Sequence, residues 1–296
     1  MSLSVHESII AGGSPGDFMK VRRLVLRGSH LDMGRHVANT AIERYGFSPP
    51  KSGDPLTADV SREYLRMAWP QHYQRMKGAA EAFGMDISDN GFDFSQLFVS
   101  PGSHGCSNVY YPETMNGHVI LSRNYDQPTG VNPLSSKEPV LMEVYPDDGF
   151  SYICMCAYDL LSGATDGMNS EGLSVALLAD IETGLSLSYP SLPDGPYSRV
   201  ATMQYGRCGV GIRGIQVVRY VLETCKNADE AKRALLAIKQ YTLGGPLLYI
   251  VGDSSGRGFV YEGKLDGNIP MFSDCEGTAL PVTNHPLREH APMDHD

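Results

Sequence analysis

Gly105-Cys106-Ser107-Asn108-Val109-Tyr110-Tyr111, and then Asn116-Gly117-His118-Val119-Ile120-Leu121-Ser122-Arg123-Asn124-Tyr125-Asp126, is the stretch on which the fold turns. Residues 106–111 and 118–126 read as two strands. The Asn-Gly pair between them is among the strongest two-residue hairpin signals. With Asn116-Gly117 as the turn, Tyr110 faces Arg123 and Cys106 faces Gln127. Arg123 lies four residues from Gln127 along the strand, so its side chain shares a face with Cys106. Asp126 falls on the opposite face unless a bulge re-aims it.

Upstream of this hairpin the pattern is mostly helical. Residues 21–26 read as a short strand ended by Gly28. Ser29 with Asp32 resembles a capping box, and Val37, Ala38, Ala41, Ile42 and Tyr45 follow at helical spacing up to Gly46. Residues 47–54, with two prolines, form a connector. Val60, Tyr64, Met67 and Ala68 suggest a second helix broken near Pro70. Tyr73, Met76, Ala79, Ala80 and Phe83 suggest a third, stopped at Gly84. Ser100 to Gly105 is a loop of turn formers.

Downstream, β signals dominate. Residues 140–145 and 151–158 pair around Asp147-Asp148-Gly149, residues 173–178 give a further strand, and 183–199 form a long loop. Helices return at 214–238, where Asn227 and Glu230 cap the second segment. Residues 246–252 and 258–262 form a last hairpin about Asp253 to Gly256. Helices, strands, helices and strands in succession suit an α+β layered fold better than a repeating βαβ sheet.

The chain has 296 residues, 42% hydrophobic and 20% charged, enough to bury a full core without staples. A formal net charge of −10 argues against nucleic-acid and anionic-membrane partners, which need clustered positive charge. No apolar run approaches the roughly 20 residues of a membrane span. Residues 1–20 lack a charged segment followed by an apolar core, so no secretory signal is read. Six scattered cysteines do not form a disulfide scaffold. A cytoplasmic protein with free thiols is the expectation.

Cys106 is the leading candidate for chemistry. A thiolate is a nucleophile, a free cysteine has a pKa of about 8.5, and a nearby arginine favours the charged form. Asp126 at the strand end is placed to orient an amine or a water. From spacing alone the same residues also describe a buried cysteine at a strand start with Arg123 and Asp126 as a local ion pair, and both readings stay open at this point.

Five segments resemble one family in consistent order. Gly105-Cys106-Ser-Asn with residues 116–126 resembles the start of the catalytic chain in N-terminal-nucleophile hydrolases of the penicillin acyltransferase-like type, with choloylglycine and N-acylethanolamine amidases as wider relatives. Gly28-Ser-His-Leu-Asp-Met-Gly34 and Met76-Lys-Gly-Ala-Ala-Glu-Ala-Phe-Gly84 resemble helices of the pro-segment. Asp166-Gly-Met-Asn-Ser-Glu-Gly-Leu173 and Pro281-Val-Thr-Asn-His285 resemble two further family segments.

The resemblance implies a four-layer αββα sandwich in which a mostly helical pro-segment, residues 1–105, is cut from the catalytic portion, residues 106–296, between Gly105 and Cys106. It implies that Cys106 attacks the substrate carbonyl and that its freed α-amine, with an ordinary pKa of about 7.7–8.0, acts as general base. Asp126 would hold that amine and Arg123 would steady the thiolate or a polar substrate group. Asn284 would donate to the oxyanion, and Asn169 would position the acyl carbonyl or complete the oxyanion site. The activity so implied is hydrolysis, or acyl transfer, of a linear non-peptide amide through a thioester, with no cofactor or metal. The partners so implied are a small N-acyl amide and the retained pro-segment as small subunit, in a chain open to forming a homo-oligomer. A catalytically silent binding protein of the same fold, or a Cys-His thiol hydrolase that does not cut itself, are the alternatives.

Other signals point elsewhere. His285, His290 and His295 sit among prolines that forbid a helical metal site, and read as a solvated tail. Cys154 and Cys156 share a strand face and read as buried filler. His104 and His118 are poorly placed to pair with Cys106. Gly209-Val210-Gly211 lacks the spacing of a phosphate cradle. Arg207 and Arg213 read as solvent-facing.

Overall fold

The computed structural model describes residues 2–97, 105–114, 116–126, 134, 137–157, 159–180, 209–241, 247–263 and 271–287. The fold is α+β. Strands β1 (Ser4–Gly12), β2 (Lys20–Gly28), β5 (Val140–Pro146), β6 (Tyr152–Cys156), β7 (Asp166–Asn169), β8 (Ser174–Ala179), β11 (Leu247–Gly252), β12 (Gly258–Glu262) and β13 (Met271–Asp274) form one nine-stranded sheet in that order. β3 (Gly105–Tyr111) lies between β14 (Leu280–Val282) and β4 (Ile120–Asp126) in a three-stranded sheet. A short pair joins β9 (Ile212–Arg213) to β10 (Gln240–Tyr241).

The helices are α1 (His30–Tyr45), α2 (Pro55–Ala68), α3 (Pro70–Ala82), α4 (Val217–Thr224) and α5 (Ala228–Ala237). Ser29 caps α1 by accepting from the Asp32 N–H, and Gly46 ends it in the left-handed region. Asn227 caps α5 through the Glu230 N–H, and the Glu230 carboxylate reaches back to the Lys226 N–H. Trp69 forms the joint between α2 and α3 and is fully buried. α1 and α3 cross backbone to backbone. A Cβ on Gly34 would collide with the Arg75 carbonyl, and one on Gly78 with the Leu31 carbonyl. The two helical segments singled out in the sequence are therefore the two halves of one crossing.

β8 shows how the layers divide. Val175 and Leu177 join the helix-side core with Met33, Val37, Leu65, Val221 and Leu235. Ala176 and Leu178 point the other way, into a smaller cluster with Cys106, Tyr110, Leu248, Ile250, Val260 and Val282. Both faces of this strand are buried, which is why it reads as a continuous apolar run. Helices, large sheet and small sheet make three layers. A helical layer outside the small sheet is not among the described residues.

Tyr110 seats the small sheet on the large one. Its ring lies against Gly252 and Gly258, where any Cβ would overlap it. Its hydroxyl donates toward the carbonyls of Asp253 at 3.1 Å and Arg257 at 3.0 Å.

Two expectations are corrected: Arg213 is buried against Gln96 and does not face solvent, and the register of the Cys106 hairpin differs. Cys106 pairs with Tyr125 and Asn108 with Arg123, a register two residues from that of a two-residue Asn-Gly turn. The connection is longer, because Thr114 accepts the Gly117 N–H and pairing stops at Tyr111–Ile120. A shift of two keeps every side chain on its face. The N-terminal segment, read as mostly helical with a strand at 21–26, also carries a strand that the sequence did not show. β1 has no buried residue, so it carries no alternation to read, and β2 pairs in parallel with β5 inside the large sheet. The 183–199 loop, His104, Arg207, Gln127, His290 and His295 lie outside the described residues.

Residues 1–105 and 106–296 share one core. Glu223 on α4 is fully enclosed and takes four donors: Arg75 at 2.8 and 3.0 Å, the Trp69 indole at 2.7 Å and the Tyr152 hydroxyl at 2.7 Å. Arg219 donates to the Tyr152 oxygen at 2.6 Å and to the carbonyls of Leu160 and Leu161. The His30 ring bonds the Asp148 carbonyl at 2.8 Å and lies 3.1 Å from Arg75. The two arginines hold the Glu223 carboxyl down to about 2 against the opposing effect of burial.

Candidate active site

β3 brings Cys106, Asn108 and Tyr110 to its buried face, and β4 brings Arg123 to the same side. Cys106 is 5% exposed. Its backbone N–H donates to Asn284 Oδ1 at 2.6 Å. Asn284 Nδ2 in turn donates to the Ala179 carbonyl at 2.6 Å. Asn284 follows β14, which pairs with β3 through Val282–Asn108, so sheet pairing delivers its amide beside the cysteine.

The Arg123 guanidinium lies 3.5 Å from Cys106 Sγ, with the same nitrogen donating to the Leu177 carbonyl at 2.8 Å. It stands 4.8 Å above the Tyr125 ring and 3.5 Å from the Asp166 carboxylate. Burial pushes the Cys106 thiol above its ordinary pKa. Arg123 opposes that shift, as do bonds from Ala179 and Asn284, while the Asp126 charge adds to it. Asp126 is the cross-strand partner of Gly105. A Cβ on Gly105 would stand 3.2 Å from its Oδ2, and the Asn124 amide donates to its Oδ1 at 3.0 Å.

Four of the five sequence-derived residues thus gather at one strand end: Cys106, Arg123, Asp126 and Asn284. Asn169 does not join them. Its amide nitrogen donates to the Leu222 and Cys225 carbonyls at the end of α4, at 3.0 and 2.7 Å, and its oxygen accepts from Glu171 and Leu173. The two donated bonds tie the β7–β8 turn to α4 and the two accepted ones close the turn on itself, leaving that amide nothing to offer an acyl carbonyl. Asp166, three residues earlier, is the neighbour that sequence reading missed. Burial raises its carboxyl, and Arg123 and the Thr165 hydroxyl pull it down. It stood inside a quoted motif, but nothing in one strand's sequence says that its carboxylate meets Arg123.

Among the described residues no group of three or more histidine, cysteine or acidic side chains is arranged to hold a metal, and no helix is long and apolar enough to cross a membrane. Cys154 and Cys156 lie 3.8 Å apart, sulfur to sulfur, inside the helix-side core.

Residues 113–292, more than half of the chain, match the family model of acyl-coenzyme A:6-aminopenicillanic acid acyl-transferase, and the chain belongs to that family. The match takes in Arg123, Asp126, Asn169 and Asn284 and begins just after the Cys106 strand. An uncharacterized protein of Archaeoglobus fulgidus is 30% identical over 165 residues, 54% of this chain and 23% of that one. Among solved structures, a mutant of conjugated bile acid hydrolase from Clostridium perfringens aligns with a TM-score of 0.37 at 15% identity, over 59% of this chain and 52% of that one. Penicillin V acylase from Agrobacterium tumefaciens aligns with a TM-score of 0.30 at 15% identity, over 62% and 46%. The chain thus spans less than a quarter of the archaeal relative and about half of each of these two enzymes.

Proposed function

We propose that this protein is a self-processing cysteine amidase, hydrolysing a linear non-peptide amide or transferring its acyl group through a thioester. The observation that carries the reading is the pair of contacts on Cys106: its nitrogen on Asn284 and its sulfur beside Arg123. Family membership supports it.

In the continuous chain the thiol is buried and its pKa raised, a state suited to a precursor. Maturation begins when Sγ attacks the Gly105 carbonyl. The bond to the Cys106 nitrogen breaks, a thioester forms, and water opens it to leave a Gly105 carboxylate and a free Cys106 amine. That amine then accepts the thiol proton as Sγ attacks a substrate carbonyl. Asn284 Oδ1 orients the amine, and one Nδ2 hydrogen serves Ala179 while the second is available to the developing oxyanion. Arg123 stabilises sulfur as it gains charge, and Asp126 steadies the new amine from across the strand pair. The amine proton passes to the leaving nitrogen, and water or an acceptor amine resolves the acyl-enzyme. Asn169 enters only by fixing β7, whose Asp166 meets Arg123.

The severed segment 1–105 stays bound as a small subunit, because Trp69, Arg75 and β2 are built into the shared core. Free cysteines at 106, 154, 156, 225 and 275 fit a reducing, cytoplasmic setting.

Intact-mass measurement tests the reading. Purified protein should resolve into two fragments, the larger beginning at Cys106, and Cys106→Ala should stay whole. A wild-type chain that never cleaves, with Cys106 alkylated no faster than the other thiols, would make it a silent binding protein instead.

A further inference from the structure

Asn108 has no task in the chemistry above. It sits on β3 two positions beyond Cys106, on the same buried face, and is 1% exposed. Neither its Oδ1 nor its Nδ2 has a hydrogen-bond partner. Its cross-strand partner is Arg123, whose Nε is also buried and makes no hydrogen bond, the Asp166 carboxylate standing off at 3.5 Å. One acceptor and two kinds of donor therefore stand unsatisfied on paired positions of one face, beside the nucleophile. A buried amide in this condition lowers stability, and an apolar side chain of similar size would remove the loss. Groups kept against stability next to reacting atoms are ones a ligand completes.

We infer that Asn108 and the Arg123 Nε form a polar subsite for the acyl part of the substrate, one that takes a neutral group able both to donate and to accept, such as a hydroxyl or primary amide. The inference rests on the amidase reading and gives it a substrate class: acyl groups with a polar substituent near the carbonyl, in preference to plain hydrocarbon chains. Charge selects neutrality. An anion would meet Asp166, and a cation would meet Arg123. Reach selects position. Two strand residues span about 7 Å, and a hydrogen bond covers about 3 Å of it, which leaves about three covalent bonds between carbonyl carbon and heteroatom.

The test is calorimetric binding of a matched pair, butanoyl anilide and 3-hydroxybutanoyl anilide, to the wild-type protein as purified. The hydroxylated ligand should bind about tenfold more tightly, and Asn108→Leu should reduce that ratio to one or below. Asn108→Ser, too short to reach, should do the same and serves if the leucine variant does not fold. Equal affinities in the wild type would mean an ordered water fills the site, and would overturn the inference. So would a preference that survives in both variants, or no binding of either ligand at millimolar concentration. Turnover of the same anilides is measured separately. A binding preference without turnover sinks the amidase reading and leaves the subsite standing; turnover without preference does the reverse.

Discussion

The Cys106 backbone N–H and the Asn284 side-chain oxygen meet at 2.6 Å across 178 positions of sequence. Asn284 simultaneously holds the Ala179 carbonyl, so one amide joins the Cys106 strand to the end of a central strand of the large sheet. Asn284→Leu keeps the volume and removes both bonds. We expect fragment formation, followed by intact mass over time, to slow by about a hundredfold or more.

The alkylation rate of Cys106 as a function of pH reports its surroundings. Burial sets the midpoint above that of an ordinary thiol, Arg123 lowers it, and Asp126 raises it. Arg123→Gln should therefore move the midpoint up and Asp126→Asn should move it down. Iodoacetamide labelling read by peptide mass spectrometry checks both signs in the Gly105→Pro background if cleavage interferes.

Tyr110→Phe deletes a hydroxyl that serves two carbonyls and leaves the ring in its glycine slot. Urea unfolding should show a loss of about 1–2 kcal/mol. Gly252→Ala, which drives a methyl into that ring, should cost more, and labelling of Cys106 should quicken as the small sheet lifts.

Stability should fall in acid in two stages. His30 and His72 are held below the ordinary histidine value, chiefly by burial. The unfolded chain therefore takes up protons first, and stability declines as pH drops below about 6.5. Glu223, depressed to about 2 from 4.5, contributes fully above about pH 4.5 and loses that contribution as pH falls toward 2, on the order of 3 kcal/mol. Glu223→Gln should abolish the lower stage and cost about 3–5 kcal/mol at neutral pH, because two buried arginines lose their counter-charge. Thermal melts across pH 3–8 (a window set by those values) read both effects.

Gly78→Ala should be far worse than an ordinary helix substitution, although alanine has the higher helix propensity by about 1 kcal/mol. The methyl has backbone, not a movable side chain, in its way. Loss of soluble protein, or a melting temperature lowered by about ten degrees or more, is the expected result.

Much of this was legible in the residues. Ser29, Gly46 and Asn227 announce helix ends through local bonding, and local chemistry is what a sequence displays. Arg123 fell on the correct face despite a wrong register, because strand periodicity survives a shift of two. β1 was invisible since no residue in it is buried. The Asp166–Arg123 relationship was hidden for another reason: it depends on how the small sheet lies on the large one, and the order of the large sheet, with β2 against β5 and β8 against β11, is written in no single segment. Asn108 opposite Arg123 was missed only through the two-residue register. Asn169 was recognised as important for a motif it does serve, but as a bracket for α4.

The insertion of β2 and of Arg75 into the shared interior changes what kind of reaction refolding is. Before a break at Gly105–Cys106 the polypeptide collapses as one molecule, at a rate indifferent to dilution. After the break, recovery from denaturant becomes a bimolecular encounter whose midpoint moves with protein concentration. Processing would thus leave a catalyst that is easy to keep assembled and hard to rebuild, its working lifetime governed by how slowly the two pieces part.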